Sequence, residues 1–192
     1  MEEQRWIRSY TPQAGIFIVD SRKMLNEGKL ITVRTHTRFV YFPAHRHNFI
    51  EVLYVCEGSV TNIIDGKKVV VGKGELLFLN QYTKHELLPA GESDIAINFM
   101  ILPEFLMWLI PWQGEIMCWQ ISGKYSPQDE EKGEYLYFRV AEVLQIQNLL
   151  ENMIYSLVTG KGENNRINQT TMGLIFLYLV DSVQYVEMRV PN

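Results

Sequence analysis

The chain has 192 residues, 47% of them hydrophobic, with a formal net charge of −4 and a pI near 5.6. That composition excludes a disordered chain and is enough for one good core with a small appendage. The charge balance excludes a chain that coats nucleic acid by itself, because phosphate binding needs clustered Lys and Arg.

Along the chain, the first residues, Met1 to Arg8, are polar and lack the apolar stretch of a secretory signal. From Leu30 to Leu102, short β-branched and aromatic runs alternate with turn residues. The spacing predicts strands over Leu30 to Phe42, Phe49 to Cys56, Ser59 to Ile64, Lys67 to Val71, Glu75 to Leu79 and Asp94 to Ile101. The Asp65-Gly66 pair between two of these runs is a hairpin signal, since both central residues of a type I′ turn need positive φ. Gly72-Lys73-Gly74 marks the next reversal. Beyond Pro103 the strand signals stop, and the aromatic, Met-rich segment Leu106 to Trp119 is expected to cover an open end of the β structure. Ser126 to Glu134, with the acidic cluster Asp129 to Glu131, is expected to be an exposed connection.

Two helices are expected next. Val143, Ile146, Leu150, Met153 and Leu157 recur at steps of three and four, and Gly160 supplies a stop. Met172, Phe176, Leu179, Val183, Val186 and Val190 repeat the rhythm, with Leu174, Ile175, Leu177 and Val180 spreading the apolar surface round most of the helix. A helix apolar on several faces needs more than one packing partner, so a homodimer is expected through Leu150, Met153, Leu157, Phe176, Leu179 and Val183. The densest apolar run, Leu174 to Val180, is much shorter than the roughly 20 residues of a membrane span. The two cysteines, Cys56 and Cys118, sit far apart among apolar residues and suit free thiols in a reducing compartment. A soluble cytoplasmic protein with no membrane partner is expected.

Chemistry concentrates in the strands. His45, His47 and Glu51 share parity, so on one extended strand they project from one face. His85 follows two hairpin elements later, where folding back brings it opposite. Three imidazoles and a carboxylate form a first shell for a single divalent transition metal such as Fe, Mn, Ni, Cu or Zn. Histidines hydrogen-bonded at a polar mouth are the alternative. Arg34, His36 and Arg38 give one polar, basic strand face that either lines a cavity and meets an acidic ligand or faces water, with His36 expected to be solvated. Trp108, Trp112 and Trp119 lack basic neighbours and are expected in a core or lid rather than as a nucleic-acid platform.

The segment His45-Arg46-His47, Glu51 and Gly58 is similar to the first cupin motif, and Gly74 through His85 resembles the second. Phe39, Asn80, Tyr82 and Pro89 depart from these motifs where Gly, Pro, Gly and Asn are usual. The run His45 to Gly58, the Asp65-Gly66 hairpin, Gly74 to Leu79, Lys84 to Glu86, the strand ending Asn98 to Pro103 and the C-terminal helices together resemble the N-terminal arm of AraC/XylS-type transcription regulators. The resemblance implies a mainly β fold, a cupin (jelly-roll type) β-barrel followed by two C-terminal α-helices. It implies an effector-binding barrel with a lid over residues 1–125 and a helical dimerisation extension over 126–192. It further implies that a small-molecule effector in the cup is relayed to a helix-turn-helix DNA-binding domain absent from this chain, which looks like a domain excised from a longer polypeptide. The candidate ligand contacts are His45, His47, Glu51, His85, Arg38, Tyr82 and Asn98. On this basis the chain is expected not to be an enzyme and to require no cofactor. A metal-dependent cupin enzyme of dioxygenase or isomerase type, with His45, His47, Glu51 and His85 holding the ion, is the alternative.

Overall fold

A computed structural model describes residues 10–13, 16–23, 25, 28–106, 133–159, 165–181 and 186–189. In chain order the strands are β1 (Tyr10–Gln13), β2 (Ile16–Val19), β3 (Ile31–Thr35), β4 (Phe42–His47), β5 (Ile50–Glu57), β6 (Ser59–Ile64), β7 (Lys67–Gly72), β8 (Leu76–Leu79), β9 (His85–Leu87), β10 (Ile95–Ile101), β11 (Tyr135–Phe138) and β12 (Val186–Arg189). The helices are α1 (Leu144–Thr159) and α2 (Asn165–Asp181). The segments at Leu106 to Trp119 and Ser126 to Glu134 lie largely outside the described residues, as do Cys118, the three tryptophans just named, Gly160 and Val183.

The strands form two six-stranded sheets. The first runs β1, β2, β4, β9, β6, β7 and the second β12, β11, β8, β5, β10, β3. All neighbours are antiparallel except β2 and β4. No ladder joins the sheets among the described residues, so the expected closed barrel is not formed and the architecture is an open pair of sheets.

The Asp65-Gly66 hairpin joins β6 to β7 with φ of 48° and 75°, as a type I′ turn requires. The long strand expected over Leu30 to Phe42 divides instead. β3 ends at Thr35, a loop follows, and Phe42 opens β4 in the other sheet. Phe39, in that loop, adopts φ of 65°, the left-handed conformation that explains why the cupin motif has Gly at this position.

The second sheet is covered on both faces. Ile50, Val52 and Tyr54 of β5, Leu76 and Phe78 of β8, and Leu136 and Phe138 of β11 pack with the helices in one cluster. Their alternates Leu53, Val55, Leu77, Leu79, Tyr135 and Tyr137 pack against Val60, Ile64, Val69 and Val71 of the first sheet. Two buried faces are why β5 and β8 carry unbroken apolar runs rather than alternation. The helices contribute Ile146, Leu150, Met153, Met172, Ile175, Phe176 and Leu179. Phe176 stands edge-on to Phe78 with ring centroids 5.5 Å apart.

Two expectations for the helices are corrected. Leu150, Phe176 and Leu179 are 0% exposed and Met153 1%, while Leu157 packs on the same core. Leu150, Met153, Phe176 and Leu179 are therefore spent inside the molecule and do not offer a face to a second copy, while Leu157 is only partly buried. The outward faces carry Leu144, Tyr155, Val158, Ile167, Leu174, Leu177 and Tyr178. The second helix is described as far as Asp181 and does not run to Val190, because Val186–Arg189 forms a strand. Val186–Arg189 pairs with Tyr135–Phe138, so the C-terminal extension adds two strands to the second sheet as well as two helices. The β-branched spacing that reads as a helix face suits a strand once a partner strand is present.

Gln147 bolts α1 to the sheet. Its Oε1 accepts from the Tyr54 hydroxyl at 2.7 Å, and its Nε2 donates to the carbonyls of Gly74 and Val140 at 2.9 and 2.8 Å. Gly74 has φ of 77°, and a Cβ there would lie 2.8 Å from the Ala141 Cα, so only glycine allows the turn that leads into α1 this close.

Candidate functional site

The corner at Asn48-Phe49 decides the site. Parity along one strand would put Glu51 beside His45 and His47. Instead the chain leaves the first sheet after His47 and enters the second at Ile50, so Glu51 faces the histidines across the interior. Asn48 holds the corner, its Oδ1 accepting from the Ser21 amide at 2.7 Å and its Nδ2 donating to Asp20 at 3.1 Å.

His45 stands directly opposite His85 in the β4–β9 ladder, and both turn inward with His47. The ring centroids of His45 and His85 are 4.2 Å apart, and each lies 5.0 Å from that of His47. One ligand atom from each of the three lies within 4.8 Å of the others. From the opposite sheet, Glu51 Oε2 lies 3.0 Å from His47 Nε2, and Asn98 Nδ2 donates to Glu51 Oε1 at 3.1 Å. His36 Nδ1 donates to Asn98 Oδ1 at 3.2 Å. A continuous polar chain therefore runs His36, Asn98, Glu51, His47. His36, expected to be solvated, is buried.

Burial sets the charges. It holds the His45 imidazole down at about 4 and His36 below the usual value. His47 and His85 are pushed well below 6.5 by burial first and by neighbouring imidazoles second. Burial lifts the Glu51 carboxyl to about 8. At neutral pH, in the absence of a metal, the cluster is a set of neutral hydrogen-bonding groups rather than an ion pair.

Two histidines have their outer nitrogens occupied. His45 Nδ1 donates to the Pro43 carbonyl at 2.9 Å, and His85 Nδ1 donates to Asn62 Oδ1 at 3.0 Å. This fixes the tautomer that leaves an Nε2 lone pair on each ring, the arrangement that outer partners impose on metal-ligating histidines. His85 Nε2 and His47 Nδ1 are buried without a hydrogen-bond partner. The donor set of His45, His47, His85 and Glu51 thus fits a single divalent transition metal. Asn62, not anticipated from the sequence, was signalled by parity. It is the polar member of the inward series Val60, Asn62, Ile64.

A cavity of about 70 Å³ opens beside the cluster. Val19, Phe42, Phe49, Leu87 and Met100 supply apolar wall, while Arg34, Thr35, Thr37, His45, His47, Glu51 and Asn98 supply polar groups. Three expected contacts, His85, Arg38 and Tyr82, are not among its lining residues. Arg38 is exposed and donates to the Glu92 carbonyl at 3.1 Å. Tyr82 belongs to the turn before β9, where the Asn80 side chain accepts from the Tyr82 amide at 3.1 Å and the Thr83 hydroxyl at 2.8 Å. Asn80 thereby makes the side-chain-closed turn that stands in for the Pro and Gly of the cupin motif.

The family profile described as the AraC-like ligand binding domain matches residues 28–170, which takes in both sheets' central strands, α1 and the start of α2. The chain belongs to this family. Among curated relatives of this AraC-like domain, the HTH-type transcriptional activator RhaR of Shigella dysenteriae is 27% identical over 82 residues, 42% of this chain and 28% of that one. RhaR of Escherichia coli is 28% identical over 76 residues, 39% of this chain and 26% of that one. The match therefore spans little more than a quarter of the length of these activators. Among solved structures, an apo form of ToxT from Vibrio cholerae superposes with a TM-score of 0.52 at 10% identity, over 83% of this chain and 56% of that one. It supports the fold of the AraC-like domain.

Proposed function

We propose that this AraC-like domain is the effector-sensing part of a transcription regulator, binding a small molecule between its two sheets and passing the event to a helix-turn-helix domain outside this chain. The observation that carries the proposal is the chain of buried polar side chains from His36 to His47, set against a cavity in a domain of this family. Buried polar groups cost free energy unless they are paired, and Nδ1 of His47, which lines the cavity, has no partner among the described residues. A ligand hydroxyl or carbonyl in the cavity supplies what such atoms lack.

The route outward is short. Glu51 and Asn98 belong to β5 and β10, whose other faces, Val52, Tyr54, Ile97 and Phe99, carry the helices. A shift of these strands on the cavity side is felt by α1 and α2 through one sheet. The apolar residues on the outward helix faces support a homodimer through Leu144, Tyr155 and Val158 of α1 and Leu174, Leu177 and Tyr178 of α2. The open sheet pair is read as a cupin-type jelly roll, the location as cytoplasmic, and the chain as a sensor without catalytic activity of its own.

The test is a small-molecule screen read by thermal unfolding, with His47→Ala as control. Ligands that stabilise the wild type and lose their effect in the variant support the proposal. A screen in which no stabilising ligand responds to His47→Ala or Asn98→Ala rejects it.

The meeting of three imidazoles with Glu51 favours one further reading, a divalent transition metal held by His45, His47, His85 and Glu51. Such an ion would supply a Lewis acid able to hold an oxygen of the effector. Elemental analysis of tag-free protein decides it. Near-stoichiometric metal lost in His47→Ala supports the site, and metal-free wild type rejects it.

A further inference from the structure

We propose that Asn62 is a positioning residue of the metal site, a side chain that holds the His85 imidazole with its Nε2 lone pair turned to the ion. The proposal rests on the metal reading of His45, His47, His85 and Glu51 and adds a residue that touches no ion itself.

Asn62 stands on β6 directly opposite Leu87, while Ile64 stands opposite His85. Its carboxamide therefore reaches His85 along the diagonal of the ladder, where Oδ1 accepts from Nδ1 at 3.0 Å. The layer it stands in is apolar. Asn62 is 0% exposed, and its inward neighbours on the same strand, Val60 and Ile64, pack with Val69, Val71 and Leu77. A carboxamide in such a layer is costly unless both its ends are paired, and Asn62 Nδ2 has no partner among the described residues. A leucine has the same branched outline and would join the packing without an unpaired amide. Core packing therefore does not account for an asparagine here, whereas the need of His85 Nδ1 for an acceptor does.

The other ligands are held differently. His45 Nδ1 donates to a main-chain carbonyl, that of Pro43, which no side-chain substitution removes. Glu51 accepts from Asn98, and Asn98 is shared with His36. Asn62 is the side chain, among the described residues, whose outer bond serves one histidine of the cluster alone. On the inner side of that ring, His85 Nε2 is buried without a partner among the described residues. Loss of the acceptor lets the imidazole carry its proton on Nε2 or turn out of line, and either change withdraws one donor from the set.

The experiment measures the affinity of the tag-free full chain for zinc, manganese and nickel ions by competition with a chelating dye, in wild type, Asn62→Leu and Asn62→Asp. Thermal unfolding of each chelated protein is followed alongside. Asn62→Leu is expected to bind about 10- to 100-fold more weakly than wild type. Its chelated form is expected to unfold at the wild-type midpoint, since one unpaired buried donor, Asn62 Nδ2, is exchanged for another, His85 Nδ1. Asn62→Asp keeps an acceptor against Nδ1 and is expected to restore most of the lost affinity, whereas a residue that only packed would suffer more from a buried charge than from leucine. Asn62→Leu binding as tightly as wild type, or Asn62→Asp binding no tighter than Asn62→Leu, overturns the positioning role and leaves the metal reading standing. A wild type that binds none of these ions rejects the metal reading and the role together. If Asn62→Leu does not fold, the tautomer of His85 in the chelated wild type decides alone, read from its ring-nitrogen NMR shifts. A proton on Nδ1 supports the role, and a proton on Nε2 overturns it.

Discussion

Raising the pH from 7 to 8.5 is expected to destabilise the metal-free protein, and Glu51→Gln to abolish that loss. Burial lifts the Glu51 carboxyl from 4.5 to about 8. The native state therefore keeps a proton that the unfolded chain has already released, and stability falls with pH wherever the native state binds more protons. Its contribution is complete below about 4.5, the unfolded value, and is lost progressively as pH rises from there through about 8. With one pKa unit worth about 1.36 kcal/mol, a native value of about 8 converts to a loss of about 1 kcal/mol between pH 7 and 8.5. The histidines are neutral there in the native state but about a quarter protonated at pH 7 in the unfolded chain, so together they offset about 0.6 kcal/mol of this loss, and Glu51→Gln is expected to turn the net loss into a small gain. Below this window their opposing effect grows. His45, held at about 4 against 6.5 unfolded, removes about 2 kcal/mol between pH 7 and pH 5, a loss that Glu51 roughly offsets. His47 and His85, pushed down further, leave a net destabilisation in acid. The assay is urea unfolding in the presence of a chelator at half-unit pH intervals. A wild type with level stability from 7 to 8.5, or a Glu51→Gln variant that declines in parallel with it, would refute the buried, protonated carboxyl.

Leu150→Ala should cost about 2–5 kcal/mol by opening a cavity in the core, whereas Val158→Glu should leave the monomer's stability within about 0.5 kcal/mol and lower the sedimentation coefficient of any dimer. Retention of full stability by the first variant would mean that Leu150 is not in the core. Asn98→Ala strips partners from Glu51 Oε1 and His36 Nδ1 together and is expected to cost about 1–3 kcal/mol in denaturant. Phe39→Gly should be neutral or stabilising by up to about 1 kcal/mol, since the side chain is exposed and φ is 65°. A clear loss there would show that the aromatic ring matters to the fold. The isolated chain should fail to shift a defined duplex at physiological salt, and a specific shift would contradict the assignment of DNA contact to another domain.

Local signals were the legible ones. The Asp65-Gly66 turn fixed the β6–β7 hairpin, and spacing alone brought His45, His47 and His85 to one place. Glu51 was misplaced because the turn from one sheet to the other at Asn48-Phe49 is made without Gly or Pro, so parity ran through it unbroken. β9 is three residues long, and β11 and β12 exist by pairing with each other and with β8 across long separations, which no local window contains. The apolar helix faces were plain in the sequence, but period alone does not say which sheet or chain covers a face. Leu150 and Val158 look alike in sequence and differ only in what the second sheet reaches.

Strand β5 divides its labour by parity. Ile50, Val52 and Tyr54 hold the helices, while Glu51 on the reverse side reaches the cavity and Leu53 and Val55 fill the space between the sheets. A codon change at one of these positions alters one surface and leaves the adjoining position's surface in place. Such a strand lets ligand preference drift over generations without rebuilding the helix seat, and lets the helix seat change without discarding the ligand. The wall between input and output is one strand thick, yet its two sides can be inherited separately.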